Sequence, residues 1–325
     1  HLSQQLASLF AVAAPGGKVV LVSKTGNIEI QSNDADTALV DVSAVAVAGG
    51  EAGHLGVSAA KGTAKIAENS IQGSADHSAQ SASFALDVSK LDADKMAFST
   101  LNAHLNAGGF KRAQDLRVRT GNVSIVAGET VTAHDYTLAA DGGAITVEGT
   151  VDASGSEGCK INLYAGNGLN LKAGSKLDAH ASGTGERGGK VELAAGAGAL
   201  TLQGGEIDVS PGTSGEQGEV LLRASRRDNN PDVDGDDEVN VTSLATTING
   251  AGSVVLEAVK IYDGVATLAA SGSGATLGYS TINADNSDFM TGDGDNDTID
   301  NATDIKTRLG KAGDATFHLR PGVEA

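Results

Sequence analysis

Two acidic stretches hold the residue types best suited to chemistry. In residues 230–241, NPDVDGDDEVNV, oxygen donors recur at alternate positions: Asn230, Asp232, Asp234, Asp236 and Glu238, with Gly235 able to make the reversal. This is the order of positions 1, 3, 5, 7 and 9 of an EF-hand-like loop, whose oxygens wrap a hard cation such as Ca2+. Val241 stands at position 12, where that motif has a bidentate Glu, and no paired flanking helices are expected. The stretch is therefore either a weak calcium site or a solvated acidic loop. Residues 292–300, GDGDNDTID, have the order of one turn of a calcium-binding nonapeptide, with Asp293, Asp295 and Asp297 as donors. Asp295 stands where the nonapeptide has Gly, and a single turn needs ligands from a neighbour such as Asp285 or Asp288. The other reading of this stretch is an acidic linker.

Other reactive groups are sparse. Cys159 is the sole cysteine, so no disulfide forms within the chain. A nucleophilic thiol needs a histidine partner and an activating field, and the surrounding sequence supplies neither, so a free structural thiol is expected. The seven histidines (His1, His54, His77, His104, His134, His180 and His318) are scattered without metal-ligand spacing. No phosphate loop, nucleotide fingerprint or nucleophile elbow is present.

The elements that position these residues must be built from small side chains. Among 325 residues there are 44 Gly, no Trp and only 3% aromatics, so Ala, Val, Leu and Ile have to form any core. A formal charge of -18 disfavours nucleic acid and anionic membrane surfaces. No apolar run approaches the roughly 20 residues of a membrane helix, so the chain is not expected to be transmembrane. It opens on His1 without a signal-peptide pattern and reads as a trimmed fragment.

Self-similarity decides the architecture. Residues 159–188 register on 189–218 without a gap at a period of 30: Ile161 on Val191, Leu163 on Leu193, Leu169 on Ala199, Leu171 on Thr201, Leu177 on Ile207 and Asp178 on Asp208. A third copy starts at Glu219, and a shorter one precedes at 145–158. Each unit carries three short period-two alternations separated by Gly, Ser, Asn or Asp, which are strands and turns. Three strands per unit predict an all-β fold, a right-handed parallel β-helix in which each coil covers the next. A propeller is the rival, but its longer blades carry aromatic signatures absent here. Ile161, Leu163, Leu169, Leu171, Leu177, Val191, Leu193, Leu202 and Ile207 are predicted to face inward. Asp152, Asp178 and Asp208 then form an axial column. It could imitate a paired-carboxylate site of a polysaccharide-active enzyme, but an Asp bonding its own turn backbone explains it better.

The β-helix is expected over 17–282, including short strands at 116–126, 131–138, 253–258, 265–269 and 275–282. Residues 1–16 form a cap or continue an upstream coil. Leu101 and Leu105 in 99–109, with Ser or Thr at the start and Gly at the stop, predict a short helix over the side or end of the rod. Residues 226–238 should protrude as an acidic loop, and 283–325 form an acidic, calcium-binding linker or cap.

The segments GGKVELAAGAGALTLQGGEIDVS, GTVDASGSEGCKINLYAG and GSKLDAHASG, together with STLNAHLNAGG at 99–109, resemble the repeats of large bacterial exoproteins related to filamentous haemagglutinin. The resemblance spans most of 17–282 and implies a right-handed β-helix at the surface of a Gram-negative bacterium, exported through an outer-membrane transporter. It brings no catalytic residues, because the shared motifs are packing motifs. The expected function is a structural, adhesive stalk rather than an enzyme. Its expected partners are other copies, surface proteins, a glycan or a receptor on a host or neighbouring cell. A subunit of an extracellular filament and a polysaccharide-active β-helix enzyme are the alternatives.

Overall fold

The structure is a computed structural model and describes residues 15–31, 40–44, 50–76, 80–156, 158–227, 238–292, 299 and 301–325. Strand outweighs helix, 44% to 12%, which makes the chain mostly β. Its largest sheet joins ten parallel strands in strict chain order: Lys18–Val22, His54–Ala59, Ser83–Val88, Ala113–Val118, Asp135–Ala140, Lys160–Ala165, Lys190–Ala195, Gly218–Arg227, Ala251–Ile261 and Phe317–Glu324. A second sheet stacks Val123–Ile125, Ile145–Val147, Leu169–Leu171, Leu200–Leu202 and Val241–Leu244. A third stacks Thr130–Thr132, Thr150–Asp152, Lys176–Asp178, Glu206–Asp208 and Thr247–Asn249. Successive strands of one unit thus enter three different sheets, an arrangement compatible with an all-β parallel solenoid.

Alternation explains the shared interior. In Lys160–Ala165, Ile161, Leu163 and Ala165 are buried while Lys160 is exposed. All nine residues predicted to face inward are fully buried. Burying a Leu or Val contributes about 1.5–3 kcal/mol, so stacked aliphatic ladders can stabilise units that would not fold singly.

The register differs from the gapless alignment in one strand. Leu169 pairs with Leu200 and Leu171 with Leu202, one residue on from the positions a period of 30 gives. The flanking pairs Leu163–Leu193 and Leu177–Ile207 keep that period. A one-residue slip exchanges the faces of a strand, and the gapless register would have buried Thr201. The turn before Leu200 takes the extra residue and the turn after Leu202 gives it back.

Helix α1, Phe98–Gly108, lies where the predicted helix was placed, but its surroundings differ. Phe98, Leu101 and Leu105 are buried, and α1 packs between Ile71–Gln72 on one side and Val123–Ile125 and Thr130–Thr132 on the other. It therefore takes the place of two strands of its unit instead of covering a side or end. Its N-cap is Ala97 with no side-chain bond, so neither Ser99 nor Thr100 caps it. Gly109 closes it in the left-handed conformation at φ 76°, where a Cβ would also press on Ser74. Asn102 and Asn106 donate to the Thr130 carbonyl and Gln114 to that of Thr132. These side chains satisfy carbonyls along a strand edge that has no neighbouring strand on this side among the described residues.

The C-terminal region also departs from expectation. The strand expected at 275–282 is only Thr276–Gly278, paired with Thr267–Ala269, and helix α2 begins at once, Tyr279–Thr291. Residues 283–325 contain the rest of α2, the short helix α3 (Ala302–Arg308) and the strand Phe317–Glu324, which pairs with Ala251–Ile261 and extends the large sheet beyond 282. Among the described residues, no helix is long and apolar enough to cross a membrane.

Candidate functional site

The third sheet brings the predicted carboxylate column together. Thr132, Asp152, Asp178, Asp208 and Asn249 are successive register partners. The strand ends at a corner, and the side chains fold back on it. Asp152 Oδ1 accepts from the Ser154 N–H at 3.0 Å and its hydroxyl at 2.6 Å. Asp208 Oδ1 accepts from the Ser210 N–H at 2.9 Å. Asp41, in the first unit, does the same with Ser43. Asp-x-Ser is thus a turn-closing motif, as the simpler reading of the column proposed.

Asp178 departs from this pattern because His180 replaces the serine. The imidazole Nδ1 lies 2.6 Å from Asp178 Oδ1, and Lys176 Nζ lies 2.8 Å from Oδ2. Burial opposes ionisation of Asp178, but bonds to Lys176 and His180 outweigh it and hold the carboxyl below its usual range. One ligand atom from each of Asp178, His180 and Asp208 lies within 4.8 Å of the others. The sequence reading missed this because His180 meets Asp208 only across two units. The available signal was Asp-x-His where equivalent units have Asp-x-Ser.

Cys159 also gains a partner that its neighbours in sequence do not provide. His134 is the residue stacked on it from the preceding unit. Its imidazole is held protonated well above the ordinary range by Asp135, by a hydrogen bond with Cys159 and by the Ser156 carbonyl, against the opposing effect of burial. His134 Nε2 is 2.7 Å from that carbonyl, whereas Asp135 Oδ1 is 3.7 Å from Nδ1, an ion-pair distance. Cys159 itself is fully buried, and its thiol faces the carbonyls of Ser156 and His180. This agrees with a structural thiol, but not with the expectation that no histidine stands near it.

The outer face of the large sheet carries a shallow groove. Tyr164 stands between Ala139 and Ala194 in register, with Asp141, Arg223 and Glu324 at the rim. The rim charges are already engaged: Asp141 with Arg117 at 2.8 Å, and Arg223 with Glu324 at 3.3 Å.

Of the acidic stretches, Asn230, Asp232, Asp234, Asp236, Asp293, Asp295 and Asp297 lie outside the described residues. Glu238 is described and fully buried. Arg308 of α3 holds it, with Nε 2.6 Å from one carboxylate oxygen and Nη2 2.7 Å from the other. Arg226 and Arg227, expected in the loop, belong to the large sheet and pair antiparallel with Glu238–Val239, closing the base of the insertion. Arg226 also crosses to α2, with its guanidinium 4.3 Å from the Phe289 ring centre. No protein-family model matches the chain, and neither does any curated protein or solved structure.

Proposed function

We propose that this chain is a stretch of right-handed parallel β-helix serving as an extended scaffold in a large secreted or cell-surface bacterial exoprotein of the filamentous haemagglutinin type. The single supporting observation is the unbroken succession of ten parallel strands in chain order over one shared apolar interior. Such a stack makes length and stiffness from repetition, and its corners spend their carboxylates on turn closure. The mechanism is presentation: loops and insertions are held at fixed intervals toward a glycan, a receptor or another copy. Calcium at the two acidic stretches fits an extracellular setting, with Glu238 already committed to Arg308 and the first stretch relying on its other oxygens.

Removal of residues 189–218 tests the reading. A scaffold loses one unit, about 4.8 Å of length, and still folds and reaches the cell surface. A folded deletion protein that scattering shows to be shorter along one axis, with surface display retained, supports it. Global unfolding of the deletion protein, or glycan cleavage by the parent chain, refutes it.

A further inference from the structure

We propose that Asp178, His180 and Asp208 form a binding site for a divalent transition-metal ion of the zinc class. The site lies where the repeat breaks its own corner rule. Ser43, Ser154 and Ser210 close this turn in other units through a backbone N–H on the preceding carboxylate. The His180 N–H still reaches Asp178 Oδ1, at 3.3 Å, so the turn does not require an imidazole. What the histidine adds is a ring nitrogen beside two carboxylates from adjacent units.

The geometry suits a single ion. The three donor atoms lie within 4.8 Å of one another. Ligands about 2.1 Å from a tetrahedral metal stand about 3.4 Å apart, so closure requires side-chain adjustments of up to roughly 1.4 Å. The backbones beneath are fixed by in-register pairing of Lys176–Asp178 with Glu206–Asp208. Access is open, since the His180 side chain is 38% exposed. One imidazole with two carboxylates favours zinc or a similar transition ion over calcium, which takes oxygens alone.

Lys176 sets the affinity. Its ammonium occupies Asp178 Oδ2, and Glu206 and Asp208 also act on its charge. An incoming cation must displace it, so binding is modest and removal of this lysine strengthens it. That dependence separates the site from a surface histidine that happens to bind metal.

The test is calorimetric titration of the intact chain with Zn2+ in millimolar calcium, which keeps the acidic stretches supplied with a hard cation. His180→Ser restores the residue found at equivalent corners and should melt like the parent. We expect it to lose one equivalent of bound zinc. Asp208→Asn should weaken that equivalent about tenfold or more, and Lys176→Met should tighten it. His180 imidazole resonances should shift on zinc addition. Equal zinc binding by the parent and His180→Ser proteins, or His180 resonances unmoved at millimolar zinc, overturns the proposal.

Discussion

Leu163 and Leu193 face each other in adjacent parallel strands, 30 residues apart in sequence and both fully buried. The pair joins the sequence period to the fold, because the same side chain of successive units fills one continuous interior. Leu193→Ala should cost about 2–5 kcal/mol, read as a lower urea midpoint. Glu192→Ala, on the outer face of the same strand, should change stability by no more than about 0.5 kcal/mol.

The parallel strands and the inward residues were legible because burial imposes a period of two, and stacking repeats it from unit to unit. The one-residue shift at Leu200 was less legible. Turns absorb an extra residue without changing composition, and only the preference for Leu200 over Thr201 inside reveals it. Helix α1 was visible from Leu101 and Leu105, but its place between units depends on Asn102, Asn106 and Gln114 meeting a strand edge distant in sequence. His180 with Asp208 and His134 with Cys159 are contacts between units, which local spacing cannot encode.

Tyr136 is fully buried, and its hydroxyl has no hydrogen-bond partner among the described residues. An unsatisfied buried hydroxyl costs about 1–3 kcal/mol. Tyr136→Phe should therefore be neutral or stabilising, with a melting temperature equal to or above the parent. A clear loss of stability would show that the hydroxyl is satisfied in solution.

Glu238 and Arg308 fasten α3 to the insertion base. Arg308→Met leaves a buried carboxylate without its main partner and should cost about 3–5 kcal/mol. Pairing it with Glu238→Gln should recover much of that loss. Hydrogen exchange should show the single variant's loosening first in α2 and α3.

Asp87 receives the Arg119 Nε at 2.7 Å and Nη2 at 2.9 Å. These bonds hold its carboxyl below the usual range, against the opposing effect of burial and with further help from the Arg119 and Arg117 charges. A lowered folded pKa gives stability that is present above the unfolded value, about 3.9, and lost as pH falls through the folded one. Asp87→Asn should thus cost about 0.5–1 kcal/mol at neutral pH. Melting curves of the two proteins should converge on acidification below about pH 4.

Helix α1 stands at the end of the second and third sheets, whereas the largest sheet runs past it from Lys18–Val22 to Phe317–Glu324. Among the described residues, the structure on either side of it is joined by the large sheet and by α1 itself, whose Gly108 carbonyl accepts from the Gly73 N–H at 2.7 Å. Tension along the stack would cross this joint through one sheet instead of three.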